Sequence, residues 1–293
     1  FKNKQAVKFE GGMTVHSFCK RMRTNKLPLP ATVIWDEAFE CTMFVHAQMV
    51  QFRLFDDLSW IYVGDELQAQ LPGHWRGVRT LNNLWKSDLL PSSTVLLTQQ
   101  HRSQDPVLRG FWKRAREETA SLLPLAQAAI QKFQAPGPYD VEIVIPHAKR
   151  RRLSAEKSQE QSRCMEGIWV HPPEKSDEPS LFLAPGVRII GTSWAKTLMN
   201  GRQYEVLAIG DIIHLQEREL RANGQRVEHH MTPESVAKEA VLCYAVTAAS
   251  CQGEEYGSKV CVRDLAHPHM TKAMFRTVTS RARTSADMCC LPD

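Results

Sequence analysis

Short apolar runs that end in polar residues recur along the first third of the chain. They occupy residues 29–35, 59–63 and 94–97, and they end beside Asp36, Gly64 and Arg102 respectively. Runs of this kind are typical of parallel strands buried in a sheet. Between them, residues 40–56 and 106–132 repeat apolar side chains at the three-to-four-residue spacing of helices. The alternation predicts an α/β fold that carries function at the carboxyl ends of its strands.

The pattern changes twice in the remainder of the chain. A turn-rich break at 133–140 precedes an apolar run at 141–145 and a polar helix that reaches about residue 163. From residue 185, short β-like runs are separated by Asn-Gly pairs, which favour tight turns. They predict a small β-rich insertion at about residues 200–232. After Pro233 the pattern predicts strands at 240–247, 259–263 and 288–291 and a helix at 271–283.

Composition narrows the class of protein only slightly. The 293 residues leave room for two domains of ordinary size, and the 43% hydrophobic content excludes a wholly disordered chain. Lys and Arg number 37 against 32 Asp and Glu, so the net charge is +5. This mild excess permits a polyanionic partner without requiring one. No apolar run approaches the roughly 18 residues of a membrane span, so no membrane partner is expected.

Eight cysteines are present, and none of them forms a C-x-x-C pair. No structural zinc site is therefore predicted. Most of the cysteines lie in apolar, strand-like contexts, which favours buried reduced thiols and an intracellular protein in the nucleus or the cytoplasm. The chain starts at Phe1 without a secretory signal, so we predict a fragment of a longer, non-secreted protein.

An acidic pair, Asp36-Glu37, follows the first apolar run. One carboxylate at such a strand end can hold Mg²⁺ on a nucleotide, while its neighbour polarises the attacking water. Two acidic residues at a strand end also describe an ordinary solvated turn. The pair by itself leaves both interpretations open.

Further polar groups that can bind phosphate follow other predicted strands. Gln68 comes shortly after the Gly64-Asp65 turn and offers an amide to a phosphate or a water. Arg102 and Arg281 can each meet a phosphate in a bidentate manner. The 247–253 loop leads from a strand into small polar residues and a glycine, which lets backbone N–H groups approach nucleic-acid phosphates. Each feature alone also fits a surface residue or turn.

The order and spacing of these features make the chain resemble the motor of superfamily 1 helicases, in particular the Pif/RecD-like (superfamily 1B) branch. The resemblance runs from residue 1 to about residue 290. The segments that carry it are Gly11 to Phe18 for a strand-contacting segment, Asp36-Glu37 for motif II, Gly64 to Gly73 for motif III, Leu97 to Ser103 for motif IV, Thr247 to Gly253 for motif V and Ser280-Arg281-Ala282 for motif VI.

The resemblance implies two RecA-like lobes of the P-loop NTPase type, with parallel sheets, at residues 1–93 and 94–293. The second lobe would contain the small β-rich insertion as an SH3-like module. The implied activity is that of an ATP-dependent DNA helicase that uses ATP and Mg²⁺, translocates 5′→3′ and serves replication, recombination or repair. The implied partners are single-stranded DNA and duplex junctions, with RNA as a further possibility and protein partners left open.

The resemblance also implies a role for each candidate residue. The implied nucleotide-site residues are Asp36, Glu37, Gln68, Arg102, Gly253 and Arg281. Asp36 would hold Mg²⁺ and Glu37 would orient the attacking water. Gln68, preferred to Gln70 for its distance from Gly64-Asp65, would sense the γ-phosphate, and Arg102 and Arg281 would act as arginine fingers. The implied strand-binding residues are Thr14, His16, Thr247, Ser250 and Gln252.

Departures from the family pattern and open alternatives accompany the resemblance. The 293 residues contain no phosphate-binding (Walker A) loop G-x-x-x-x-G-K-[ST], so the first lobe is expected to be incomplete and the chain inactive as given. Ala249 and Cys251 stand where the family usually has His and Ser. A viral-type superfamily 1 RNA helicase and an ATPase-dead nucleic-acid-binding relic remain alternatives. The basic run at 149–152 fits a surface or groove-facing helix and also a nuclear localisation signal.

Overall fold

The computed structural model describes residues 12–24, 32–38, 48–49, 51–52, 58–65, 93, 95–97, 103–117, 119–192, 197–221, 223–254, 256 and 258–293. Its helices are α1 (Val15–Arg23), α2 (Pro106–Arg116), α3 (Leu122–Lys132), α4 (His147–Cys164), α5 (Pro233–Glu239) and α6 (Lys272–Thr279). Its strands are β1 (Thr32–Trp35), β2 (Ser59–Tyr62), β3 (Val141–Val144), β4 (Ile168–Val170), β5 (Leu181–Leu183), β6 (Arg188–Gly191), β7 (Gln203–Ala208), β8 (Ile213–Glu217), β9 (Glu228–Met231), β10 (Ala240–Leu242), β11 (Ala245–Thr247), β12 (Val260–Val262) and β13 (Met288–Cys290).

The amino-terminal part is built on a parallel pair of strands. β1 and β2 run side by side, with Trp35 opposite Tyr62 at their carboxyl ends. Helix α1 begins where the Thr14 hydroxyl accepts a hydrogen bond from the Ser17 N–H at 3.2 Å. The buried positions of α1, at the spacing of one helical face, pack in one cluster with Trp35. Both strands lie where the apolar runs predict them.

The segment predicted as one helix at 106–132 is two helices. Asp105 caps the first by accepting hydrogen bonds from the N–H groups of Val107 and Leu108 at 2.8 and 3.1 Å. The backbone becomes extended at Glu117, which ends α2, and again at Ser121, which precedes α3. The periodicity reports the buried faces of both helices, so it does not reveal the break between them.

A four-stranded parallel sheet forms the carboxyl-terminal part. Its strand order is β11-β3-β12-β13, and all neighbouring strands are parallel. Helices α2, α3 and α6 pack in its hydrophobic core, where the rings of Phe111 and Phe133 meet edge to face at 5.1 Å. The predicted α/β fold with parallel sheets is confirmed, and the helix predicted at 271–283 ends earlier, at Thr279.

A five-stranded antiparallel sheet has its own core. Its order is β10-β6-β7-β8-β9, and the β4-β5 hairpin packs in the same apolar cluster. The sheet starts before and ends after the insertion predicted at about 200–232, because its strands β6 and β10 lie on either side of that segment in the sequence. The strand predicted at 240–247 is divided at Cys243 and Tyr244, where the chain passes from this sheet to the parallel one.

The strand predicted at 94–97 is wrong for residues 95–97. These residues belong to no helix or strand, and their side chains are 81%, 83% and 83% exposed. Among the described residues no strand pairs with them, so their backbone groups have no ladder to join. Apolar character alone therefore did not identify a strand at this point. None of the helices in the described ranges combines the length and hydropathy needed to traverse a lipid bilayer.

Candidate nucleotide and nucleic-acid interface

The acidic pair Asp36-Glu37 lies at the carboxyl end of β1. The Val63 N–H donates to the Trp35 carbonyl and the Ala38 N–H donates to the Val63 carbonyl, both at 2.9 Å. These two bonds extend the contact between the neighbouring chain segments past the ends of β1 and β2. The pair is therefore held beside the residues that follow β2.

Glu37 has an unusual backbone conformation, with φ at 52°. Left-handed backbone costs a residue with a side chain roughly 1–2 kcal/mol. The Asp36 carboxylate accepts a hydrogen bond from the Glu37 N–H at 2.9 Å, which helps to hold this turn. Strained backbone of this kind is often found at functional sites.

The acidic pair suits one Mg²⁺ ion on a nucleotide better than a site made wholly of protein. Asp36 is exposed, and within the described ranges no group of three or more acidic, His or Cys side chains could hold a metal. Mg²⁺ in nucleotide sites commonly takes one or two carboxylates, with water and phosphate oxygens as its other ligands. The exposed carboxylate of Asp36 could serve as one such ligand.

An ion pair joins the end of β2 to the carboxyl-terminal part of the chain. The Asp65 carboxylate accepts a hydrogen bond from Arg116, the last residue of α2, at 2.8 Å. Arg276 on α6 lies close by, and its Nε donates to the Ala115 carbonyl at 2.8 Å. Burial lowers the pKa of Arg276, the charge of Arg116 lowers it further, and the charge of Asp65 opposes both. This contact could not be predicted from the sequence because no local pattern links residues so far apart in the chain.

Two residues of the predicted nucleotide site, Gln68 and Arg102, lie outside the described residues, as does the alternative Gln70. Their proposed roles stay predictions. The structure therefore gives positions for Asp36, Glu37, Gly253 and Arg281 within that site.

The loop that follows β11 is tied together by its own polar side chains. The Ser250 hydroxyl accepts from the Thr247 N–H at 3.0 Å and donates to the Thr247 carbonyl at 2.9 Å, and the two hydroxyls are 3.0 Å apart. Gln252 and Thr247 are buried, whereas Ala249 is exposed at the outer turn. Gly253 has φ at 75°, a conformation that favours glycine. The hydrogen bonds between Thr247 and Ser250 therefore hold the shape of the loop.

Arg281 is 1% exposed and its guanidinium is enclosed. It donates to the Thr277 carbonyl at 2.7 Å, to the Glu254 carbonyl at 2.6 Å and to the Ser280 hydroxyl at 2.8 Å. The bond to Glu254 connects the end of α6 to the residue after Gly253. Arg281 therefore connects the segment that resembles motif VI to the residue that follows the motif V-like loop.

The two residues at the start of α1 that are predicted to contact single-stranded DNA, Thr14 and His16, have different environments. The Thr14 hydroxyl caps the helix and lies 3.0 Å from the Ser17 hydroxyl. His16 lies on the exposed face of α1. The helix thus presents His16 outward while Thr14 fixes its first turn.

The basic run at 149–152 lies in the first turns of α4, and acidic side chains accompany every cation in it. Arg150 is buried. The ion pairs are Lys149 with Asp264 at 2.6 Å, Arg150 with Glu178, Arg151 with Asp177 at 3.5 Å and Arg152 with Glu156 at 3.2 Å. This neutralisation favours a structural surface helix over a free localisation signal or a groove-facing helix.

The cysteines of the described residues are all free thiols. Six of them are buried, whereas Cys164 at the end of α4 is exposed. Burial and the neighbouring thiols raise the pKa of Cys290 well above the ordinary value. Raised thiol pKa values disfavour the reactive thiolate, so these groups fit packing better than chemistry.

Comparison with known proteins gives matches among solved structures. No family model matches the chain. No curated protein matches it in sequence. The fold is similar to that of solved helicase structures.

The solved structures that this fold resembles include Pif1 helicases. Pif1 from Candida albicans shares 13% identity, with a TM-score of 0.65, over 99% of this chain and 80% of that chain. Pif1 from Bacteroides, in complex with ADP-AlF3 and ssDNA, shares 16% identity with a TM-score of 0.64, over 96% and 79% of the two chains. A structure of DNA unwinding at forked dsDNA by two coordinating Pif1 helicases shares 16% identity with a TM-score of 0.65, over 97% and 79%.

Proposed function

We propose that this chain is the motor core of an ATP-dependent DNA helicase that moves 5′→3′ along single-stranded DNA and opens duplex junctions. The observation that carries the proposal is the position of Asp36-Glu37 at the end of β1, beside the end of β2, in a chain with the Pif1 helicase fold. The proposed setting is intracellular replication, recombination or repair.

The proposed organisation is two RecA-like lobes, at residues 1–93 and 94–293. Each range contains one of the two parallel sheets, β1-β2 or β11-β3-β12-β13. The exposed, irregular residues 95–97 support a connection near this boundary. The antiparallel sheet is the proposed SH3-like module of the second lobe.

ATP hydrolysis would take place at the end of β1. Bound Mg²⁺ would offset charge on the phosphate oxygens. Asp36 would hold the ion, and Glu37, fixed in its left-handed turn, would orient the attacking water. Gln68 would contact the γ-phosphate, and Arg102 and Arg281 would stabilise the charge that develops on it.

Arg281 needs a rearrangement to act as an arginine finger. Its guanidinium makes three internal hydrogen bonds, so contact with a phosphate requires that at least one of them be exchanged. The bond to the Glu254 carbonyl is the natural one to exchange, because it links Arg281 to the loop that would contact DNA. Nucleotide binding and the strand-contacting loop would be coupled through this single bond.

DNA would be held mainly by its backbone. His16 on α1 would contact it beside the Thr14 cap, and the 247–253 loop would contact it through backbone groups near Ser250, with Thr247 and Gln252 setting the shape of the loop. Binding through phosphates is expected to depend strongly on salt and weakly on base sequence.

The test begins with the coding sequence upstream of Phe1, which is read for G-x-x-x-x-G-K-[ST]. A protein that includes this loop is assayed for ATP hydrolysis with and without single-stranded DNA and for unwinding of a duplex with a 5′ tail. DNA-stimulated hydrolysis and unwinding are expected. A loop-containing protein that neither hydrolyses ATP nor unwinds the duplex would refute the proposal.

A second candidate function is nucleic-acid binding without ATP turnover. It is favoured by the enclosed guanidinium of Arg281. Strand binding that does not change with ATP, in a protein whose gene contains no such loop, would select this candidate. Comparing DNA with RNA strands in the same binding assay tests the RNA helicase alternative.

A further inference from the structure

Helix α1 has two faces of opposite character. Its apolar face is buried with Trp35, whereas its other face carries the exposed residues His16, Lys20, Arg21 and Arg23. His16, Lys20 and Arg23 are spaced four and three residues apart, so they form one stripe along the helix. Arg21 lies next to that stripe.

The cations of α1 lack acidic partners among the residues that the structure describes. Neither the helix nor its two caps contains an acidic residue. Within the described part of the chain, Lys20, Arg21 and Arg23 form no ion pair. The contrast with α4 is direct, because each of the four cations at 149–152 has an acidic partner there.

The helix dipole explains only part of this arrangement. Cations in a last turn interact favourably with the free carbonyl groups, by roughly 0.3–1 kcal/mol each. Lys20, Arg21 and Arg23 all lie in the last turn of α1. Three adjacent like charges also repel one another, so the dipole alone gives little reason to place all three on one exposed face. A polyanionic ligand would remove that repulsion.

We propose that the exposed face formed by His16, Lys20, Arg21 and Arg23, here called the α1 basic face, binds the phosphates of single-stranded DNA. This inference rests on the proposed function and extends its strand contacts along the helix beyond His16. From residue 16 to residue 23 a helix rises about 10 Å. That length is enough to reach more than one phosphate of a strand that runs along the helix. Lys20 and Arg23 would therefore contact phosphates different from the one nearest His16.

The test measures the affinity of the 293-residue chain for fluorescently labelled oligo(dT) over a range of KCl concentrations. For single strands, each phosphate contact contributes about 0.7 to the slope of log affinity against log salt. The double variant Lys20→Gln/Arg23→Gln is expected to bind more weakly and to lose about 1.4 from that slope. Both side chains are exposed, so the melting temperature is expected to stay near that of the wild type.

The matched control is Arg151→Gln/Arg152→Gln, which removes the same charge from α4, where both residues have acidic partners. It is expected to keep the wild-type slope. The charge-preserving variant Lys20→Arg/Arg23→Lys is also expected to keep it, which shows that the loss in the glutamine variant comes from the charge. Single variants Lys20→Gln and Arg23→Gln, each expected to lose about 0.7 from the slope, test the inference if the double variant folds poorly.

Two outcomes would overturn the inference. One is a wild-type slope in a folded Lys20→Gln/Arg23→Gln variant. The other is an equal loss of slope in the α4 control, which would indicate a response to net charge alone. In both cases the wild-type chain still binds DNA, so the proposed function stands. A wild-type chain that fails to bind oligo(dT) even at low salt would instead count against the proposed function itself.

Discussion

Asp65 and Arg116 connect the end of the amino-terminal strand pair to helix α2 through a 2.8 Å ion pair. Asp65 follows β2 beside the acidic pair Asp36-Glu37, and Arg116 ends a helix that packs in the core of the four-stranded sheet. The side chains are 22% and 52% exposed, so solvent weakens their attraction. The pair lies where the two proposed lobes would move relative to each other.

We predict a small coupling energy between these residues. A double-mutant cycle with Asp65→Asn and Arg116→Gln should give about 0.2–1 kcal/mol in the free energy of unfolding, because partly exposed ion pairs contribute little. The coupling should decrease in 1 M salt, where the Debye length is about 3 Å. Denaturant unfolding at both salt concentrations measures it. Zero coupling at low salt would show that the contact does not persist in solution.

Glu37 is predicted to be needed for ATP turnover and dispensable for DNA binding. In a protein that includes a phosphate-binding loop, Glu37→Gln should abolish hydrolysis, since an amide cannot take up a proton from the attacking water. Oligo(dT) affinity should stay unchanged because the proposed DNA contacts lie in α1 and the 247–253 loop and do not include the Glu37 carboxylate. Steady-state ATPase and equilibrium binding measure the two effects.

The matched control for Glu37 is Glu37→Gly, which removes the carboxyl group and relieves the left-handed backbone. It should also lose turnover while unfolding no more easily than Glu37→Gln. Turnover near the wild-type level in Glu37→Gln would reject the role assigned to this residue.

Arg281 is predicted to affect stability as well as turnover. Arg281→Ala removes the hydrogen bonds that the guanidinium donates to the Thr277 and Glu254 carbonyls, and hydrogen bonds of charged groups contribute about 1.5–3 kcal/mol. If Arg281 also acts as an arginine finger, the loop-containing protein should lose on the order of 10³-fold in turnover. Chemical denaturation and ATPase assays separate the two contributions.

Arg283 provides the comparison for that experiment. It is an exposed arginine two residues further along, and its carbonyl accepts a hydrogen bond from the Ser103 hydroxyl, a contact that side-chain substitution preserves. Arg283→Ala should therefore change the unfolding free energy much less. A loss of turnover under tenfold in Arg281→Ala would exclude the finger and leave only the structural role.

Local patterns in the sequence predicted the positions of the strands better than they predicted the contacts between distant segments. The apolar runs that become β1, β2, β3 and β12 are found where expected because burial of a strand leaves a continuous local signal. The run at 95–97 has the same signal, but no strand among the described residues pairs with it, so its apolar residues misled the prediction. Whether a run finds a partner is decided by the tertiary fold.

The candidate site shows the same limit. The acidic pair and the loop after β11 could be placed from sequence, since each is a contiguous motif at a strand end. The enclosure of Arg281 and the pairing of Lys149 with Asp264 could not, because both depend on residues brought together from distant positions. The sequence therefore suggested which residues are chemically able to act, while the fold decides which of them are already engaged.

Glu217 forms a buried charged cluster in the antiparallel sheet. Its carboxylate lies 3.0 Å from Arg202 and 2.8 Å from Arg221, and both Glu217 and Arg202 are fully buried. Burial acts to raise the pKa of Glu217, but the hydrogen bonds from Arg221 and the charges of Arg202 and Arg221 outweigh it and hold the pKa below its usual value. The carboxylate is thus charged when the protein is folded at neutral pH.

We predict that Glu217→Gln destabilises the protein by about 3–5 kcal/mol at pH 7, because it leaves the Arg202 charge buried without a counterion. The control is Glu205→Gln on β7, whose partner Arg218 is 3.9 Å away and exposed; it should cost under about 1 kcal/mol.

Since the folded pKa of Glu217 is lowered, the stabilisation by Glu217 is complete above the unfolded pKa of about 4.3 and is lost as the pH falls below that value. The difference between wild type and Glu217→Gln should therefore narrow in acid, as measured by denaturant unfolding from pH 7 to pH 3. A difference that stays constant over this range would show that the charge of Glu217 does not stabilise the sheet.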